Sequence, residues 1–295
     1  MHLAQHRSPL KALYDVPAPA KLNLFLHVNG RRADGYHLLQ SAFMLIDWQD
    51  TLHFERRANG QIDREDLSLT LPEDDLILRA ARLLQSHTGC TWGAHIAVQK
   101  RIPAQAGMGG GSSDAASCLL ALNRLWDLNL NTAQLAALGA QLGADVPFFL
   151  HGQNAWVEGI GEKITPLQLP PAQFAVVKPE AGLSTANIFA SPALRRDTKA
   201  ATIDGLARTP YDFGHNDLQA VAEQLCPPVR LALQWLEAQG LQVLPIFAVG
   251  LDARPAIEQY FFQDGKNIVD AVVSLTGFSL VGGPAYNDAK AAEEV

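Results

Sequence analysis

The chain has 295 residues, 48% hydrophobic and 18% charged, which supplies apolar side chain for two modest cores or one large one and excludes a disordered chain. A formal charge of −7 and a pI near 5.7 exclude broad electrostatic attraction to nucleic acid or to an anionic membrane. The opening MHLAQHRSPLKALYDVPAP has no signal-peptide core, no later stretch offers about 18 unbroken apolar residues, and Cys90, Cys118 and Cys226 are too scattered for a disulfide framework or zinc cluster, so a protein of the reducing cytoplasm is expected.

In chain order, alternation from Ala20 to Val28 predicts a strand with Lys21, Asn23 and Phe25 on one face and Leu22, Leu24 and Leu26 on the other. Asn29-Gly30 and Asp34-Gly35 read as turns on either side of Arg31 and Arg32, and Tyr36-His37 opens the next element. Leu76 to Leu84 is spaced like a helix, and Ala94 to Val98 is a strand that leads into Lys100-Arg101-Ile102-Pro103. A glycine-rich loop follows, then SSDAASCLLALNRLW, a helix with Ser112 or Ser113 available as N-cap. Thr132 to Leu142 is an amphipathic helix capped by Asn131 or Thr132. Pro147 disfavours helix at Val146, which puts Asp145 at a sharp bend. Ala155 to Glu162 and Phe174 to Lys178 read as strands. Helices and strands without strict alternation predict an α+β fold rather than a doubly wound sheet.

The chemistry concentrates in Gly107-Met108-Gly109-Gly110-Gly111-Ser112-Ser113-Asp114. Residues without side chains let backbone N–H groups approach an anion, and the following helix adds the positive end of its dipole. The two serines can donate to phosphate oxygens or help to hold magnesium, and Asp114 suits a helix start or a metal contact. No Gly-Lys-Ser/Thr follows, so this is not a Walker loop, and the third glycine of a dinucleotide fingerprint is missing. Asp212-Phe213-Gly214 has no protein-kinase catalytic loop before it and is read as chance. Cys118 is expected in the core, and His27, His95 and His151 lack metal-ligand spacing.

Pro19-Ala20-Lys21-Leu22-Asn23-Leu24, Ala33-Asp34-Gly35-Tyr36-His37, Pro103 through Ala116, and Leu142-Gly143-Ala144-Asp145-Val146-Pro147-Phe148-Phe149 together resemble the 4-diphosphocytidyl-2-C-methyl-D-erythritol kinase family of the GHMP kinase superfamily. Glu158 to Glu162, Ser184-Thr185 with Ile188-Phe189, and Asn216-Asp217-Leu218 extend the likeness over residues 15–240. The resemblance implies a two-domain GHMP fold, with domains at residues 1–160 and 161–240. It implies ATP and Mg2+, and phosphorylation of the C2 hydroxyl of a cytidine-diphosphate-linked methylerythritol in non-mevalonate isoprenoid precursor synthesis. It implies Asp145 as catalytic base and Lys21 as the cation that orients it. Asn23, Tyr36, His37, Thr185 and Phe189 would line the substrate site, with His37 at the cytosine edge and aromatic rings on its faces. Lys100, Pro103, Gly107, Gly109, Gly110, Gly111, Ser112 and Ser113 would surround ATP. No protein-held metal, nucleic acid or membrane partner is implied.

Two departures stand out. Asp75 occupies the place of a family asparagine whose amide both donates to and accepts from adenine. After Gly240 the family's third glycine motif is absent, and residues 241–295 instead resemble an internal piece of the large subunit of magnesium chelatase or cobaltochelatase, read as strand, helix, strand, helix. A nucleotide-binding but catalytically impaired fusion is therefore the alternative reading.

Overall fold

The structure, a computed structural model, describes residues 10–103, 106–172, 174, 176 and 185–238. Two long strands, β1 (Ala12–Arg31) and β2 (His37–Arg57), pair with each other. The expected turn at Asp34-Gly35 joins them: Gly35 has φ +94°, and its N–H donates to the Arg32 carbonyl at 3.0 Å. The turn expected at Asn29-Gly30 does not form. Asn29 stays in β1, and its amide donates to the Thr198 carbonyl at 2.9 Å instead of folding onto its own backbone. The core of β1 is buried on both faces from Ala18 to Val28, so Lys21 and Asn23 are interior groups.

The described chain forms two compact units from interleaved segments, one of residues 10–18, 49–101 and 111–151, the other of 19–48, 102–110 and 152–238. In the first unit, β3 (Ile62–Asp66) runs parallel to β4 (Gly93–Gln99), which pairs antiparallel with the second half of β2, placing Thr51 opposite Gln99. Four helices belong to it: α1 (Leu76–Thr88), α2 (Gly110–Leu125, whose first residue lies in the other unit), α3 (Thr132–Leu142) and α4 (Val146–His151). Asp75 caps α1 by accepting from the Leu78 N–H at 3.1 Å, and Asn131 with Gln134 forms a capping box on α3. Ile77, Ala81 and Leu84 of α1 and Cys118, Leu119 and Leu122 of α2 are buried. Each large apolar side chain removed from water in this way contributes about 1.5–3 kcal/mol. Cys118 is a core residue as expected, and burial pushes its thiol well above the ordinary value. At Gly139 an added Cβ would come within 2.8 Å of Val146 and Leu150, so glycine is what allows α3 and α4 to pack.

Two helix starts differ from expectation. Gly109, with φ +73°, lets the chain enter α2 at Gly110, so Ser112 and Ser113 lie inside the first turn and neither is the cap. Likewise α4 begins at Val146 despite Pro147, because proline in a first turn has no intrahelical acceptor to lose. Asp145 keeps the bend before it, and its carbonyl accepts from the Phe149 N–H at 3.4 Å.

In the second unit the first half of β2 pairs antiparallel with β5 (Ala155–Gly159), and β6 (Lys163–Pro166) pairs antiparallel with β5. The single strand expected over residues 155–162 is thus broken by a turn, where Gly159 and Gly161 take φ +76° and +117°. Short helices α5 (Thr185–Ala190), α6 (Ile203–Arg208) and α7 (Gln219–Leu225) precede α8 (Pro227–Ala238). Asp217 accepts the Val28 N–H at 2.7 Å, and Leu26 bridges in parallel to Asn216, which gives that motif a structural role. Phe213 packs edge-on against Phe25 at 5.2 Å, so Asp212-Phe213-Gly214 is a packing element. Phe174 and Val176 lie outside any strand, and the rest of that expected strand, like the tail 241–295, falls outside the described residues. No helix among the described residues is long and apolar enough to cross a membrane.

Candidate phosphate and substrate site

The front half of the glycine loop is anchored in the second unit. Ile102, Ala106 and Met108 are buried in one cluster with Ala20, Leu22 and Ile46, and the Lys21 N–H donates to the Met108 carbonyl at 2.9 Å. The loop is thereby fastened to β1 at the residue expected to be catalytic. Gly107 and Gly109 have φ +55° and +73°, the left-handed region in which a side chain is strained, so both must be glycine for the peptide planes to turn as they do. Lys21 is only 4% exposed; its ammonium donates to Asn23 Oδ1 at 2.8 Å and lies 4.2 Å from the centre of the Phe43 ring. The expected pairing of Lys21 with Asn23 on one strand face is therefore present.

The back half of the loop opens α2 in the first unit. Ser112 is half-buried, whereas the Ser113 hydroxyl is buried without a partner among the described residues, as is Oδ1 of Asp114. Of the two serines expected at phosphate, Ser112 is the more exposed residue. A Cβ built on Gly143 would lie 3.7 Å from the Ser112 hydroxyl, which puts the bend carrying Asp145 beside the first turn of α2. Beneath that turn the Lys100 ammonium is held by both Asp50 and Asp114, with side chains only 8%, 0% and 3% exposed. Asp50 also accepts the Arg101 N–H at 2.5 Å. Burial, opposed by Lys100 and reinforced by Asp50, pushes the Asp114 carboxyl up to about 7. Lys100, expected beside the nucleotide, thus has its ammonium committed to two carboxylates.

The residues expected at the base cluster around β2 in the second unit. His37 stacks directly on Phe189, with ring centres 4.8 Å apart and 26° between planes, so no base fits between these two rings. Tyr36 is 61% exposed and available for stacking. The side chain of Thr185 lies outside what is described. Arg196, which the sequence reading missed, donates through Nε to His37 Nε2 at 3.0 Å. The Leu194-Arg195-Arg196-Asp197 run carries no signal that would single out the second arginine. Asp50 was missed for the same reason, being one of two aspartates inside a long, largely hydrophobic strand.

Asp75, expected near adenine, spends its carboxylate on the α1 cap and on Arg64, at 2.6 Å. No group of three or more His, Cys, Asp or Glu among the described residues could hold a metal ion.

Comparison with known proteins agrees with this architecture. Residues 75–153 match the family model described as GHMP kinases N terminal domain, and residues 218–295 match CobN/Magnesium Chelatase. An α+β framework with a glycine loop opening a helix within the matched region defines a small-molecule kinase of the GHMP class. The 4-diphosphocytidyl-2-C-methyl-D-erythritol kinase of Acidovorax sp. (strain JS42) is 67% identical over 237 residues, covering 79% of this chain and 84% of that protein. Its counterpart from Polaromonas sp. (strain JS666 / ATCC BAA-500) is 64% identical over 248 residues, covering 79% and 80%. A crystal structure of 4-(cytidine 5'-diphospho)-2C-methyl-D-erythritol kinase superposes with a TM-score of 0.64 at 33% identity, over 78% of this chain and 84% of that one. The chain belongs to the 4-diphosphocytidyl-2-C-methyl-D-erythritol kinase family.

Proposed function

We propose that this protein transfers the γ-phosphoryl group of ATP to the C2 hydroxyl of 4-diphosphocytidyl-2-C-methyl-D-erythritol. The observation that carries the reading is the backbone bond from Lys21 to Met108, which builds the phosphate loop and the buried lysine into one framework. The relatives' shared name supplies the acceptor. In the step, the acceptor oxygen bonds to the γ-phosphorus, the bond from that phosphorus to the β–γ bridging oxygen breaks, ADP leaves, and the hydroxyl proton passes to the Asp145 carboxylate. Lys21 offsets the negative charge that develops during transfer, and Asn23 holds it in place. Loop N–H groups from Gly107 to Ser113 cradle the phosphates, with Pro103 fixing the entry to the loop. Magnesium neutralises phosphate charge when bound. It would be held mainly by the phosphate oxygens, with the Ser112 hydroxyl as the protein group beside it. We read Lys100 as supporting the first turn of α2 through Asp114 rather than reaching the nucleotide itself. Tyr36 stacks on the cytosine and His37 bonds its edge.

A coupled assay of ADP release with the cytidine-linked acceptor tests this. Turnover should depend on the acceptor and fall about 10²–10⁴-fold in Asp145→Asn, the range for loss of a general base. Acceptor-dependent turnover that survives the substitution would remove Asp145 from the chemistry. The match of residues 218–295 to CobN/Magnesium Chelatase favours a second reading, a chain that binds ATP without transferring its phosphate. ATP binding with no turnover in the same assay would establish that one.

A further inference from the structure

We infer that Arg196 sets the hydrogen-bonding polarity of His37, so that the imidazole presents an Nδ1–H donor and selects a cytosine over a uracil base. The inference rests on the proposed pyrimidine role of His37.

A guanidinium carries five N–H donors and no acceptor, and it stays charged at any physiological pH. Arg196 Nε meets His37 Nε2 at 3.0 Å. A proton on Nε2 would then face another proton, so Nε2 must be the lone-pair nitrogen and the single proton of the neutral ring must sit on Nδ1. The arginine is not free to turn away. Its Nη1 donates to the Leu194 carbonyl at 2.9 Å, and its Nη2 to the Phe189 and Ser191 carbonyls, both at 2.8 Å. One guanidinium therefore holds the His37 edge and, through its backbone, the residue whose ring covers His37. Phe189 occupies one face of the imidazole, and Nε2 is engaged. Among the described residues nothing bonds Nδ1, and Nδ1–H is the polar edge left to a ligand.

The ring is also kept neutral. Burial lowers the His37 pKa below its ordinary value, and the charges of Arg196 and Arg31 add to that effect. Among the described residues, these two arginines are the charged groups set against the ring. A fixed donor reads the pyrimidine edge in one sense. Cytosine offers a lone pair at N3, whereas uracil offers N3–H, which would meet Nδ1–H donor to donor. Leaving both donors unsatisfied in a half-buried site is expected to disfavour uracil by about 10- to 100-fold. Arg196 touches no reacting atom and is a positioning residue.

The test uses the full chain and two acceptors, the cytidine-diphosphate-linked methylerythritol and its uridine counterpart. Nitrogen-15 NMR of histidine-labelled protein, with His37→Gln used to assign the signal, should show Nδ1 protonated and Nε2 unprotonated in the wild type. Arg196→Met should produce a mixture of tautomers and raise the His37 pKa. The cytidine-to-uridine ratio of kcat/KM should fall by about tenfold or more, chiefly through KM for the cytidine acceptor. Arg196→Lys, which keeps a donor, should recover part of the ratio. A merely structural arginine would lower Tm without moving the ratio or the tautomer. The wild-type spectrum needs no variant to fold: Nε2-protonated His37 would overturn the inference. So would an unchanged ratio in a folded Arg196→Met protein. A wild-type chain with Nδ1-protonated His37 but no turnover of the cytidine acceptor would instead overturn the kinase reading, and the base assignment with it.

Discussion

Replacing Lys100 with methionine removes the only cation among three buried groups while leaving Asp50 and Asp114 in place, with exposures of 0% and 3%. Methionine fills most of the space, so the dominant effect is electrostatic. Breaking a buried ion pair by deleting one partner costs about 3–5 kcal/mol. At about 2–4 °C per kcal/mol for a protein of this size, Tm should fall by roughly 6–20 °C. Without Lys100 the Asp114 carboxyl, already raised to about 7, must take up a proton or face the Asp50 charge unpaired. Asp114 lies one turn into α2, so the loss of its ion pair should displace that turn and raise KM for ATP by roughly ten- to a hundredfold. The double variant Lys100→Met with Asp114→Asn leaves a single carboxylate, which still accepts the Arg101 N–H at 2.5 Å. It should recover about half of the lost stability and most of the ATP affinity. pH gives a second readout. The folded Asp114 pKa is raised from 3.8 to about 7, so the stability it contributes is full below about 4 and is lost as pH rises toward 7, a slope that Asp114→Asn should flatten. Thermal unfolding and steady-state kinetics on the four proteins decide the matter. If the double variant regains Tm but not ATP affinity, Lys100 touches the nucleotide directly and the supporting role assigned to it is wrong.

Two other features make comparable predictions. His27 is buried with neither ring nitrogen bonded among the described residues, and burial, with His215 and Arg195, lowers its pKa against the opposing pull of Asp217. Its stabilising effect is therefore full above about pH 6.5 and is lost as pH falls toward the lowered folded value. His27→Leu should reduce the acid loss of Tm between pH 7 and 5, and superimposable pH curves for the two proteins would refute that. Asp75→Asn keeps a good N-cap but loses the ion pair to Arg64, so Tm should drop by the equivalent of about 1 kcal/mol. The regained amide donor should lower KM for ATP. An unchanged KM would show that this position does not read adenine.

Much of the local structure was legible in residues 76–142, because capping and periodicity act over a few residues and leave their mark in the chain. The helix at Leu76, the strand at Ala94 and the Asn131 cap all stand where spacing put them. The misplaced starts at Gly110 and Val146 also have local causes. A glycine in left-handed φ lets a helix start several residues early, and proline is tolerated in a first turn but not in an interior. The split of residues 155–162 was harder to see, since Gly159 and Gly161 fit a bulged strand as readily as a turn.

The sequence by itself determined the kind of protein. A glycine-serine loop ahead of a helix, with Lys21, Tyr36-His37 and Asp145 in order along the chain, is a pattern whose chemistry depends on residue type and order, and these are written in one dimension. Only the tertiary structure decided how individual charges are used. It placed Lys100 between Asp50 and Asp114, 50 and 14 residues away, and Arg196 against His37, 159 residues away. A charge in a buried site is defined by its partners, and partners brought together over such separations leave no periodicity or spacing for a sequence to reveal.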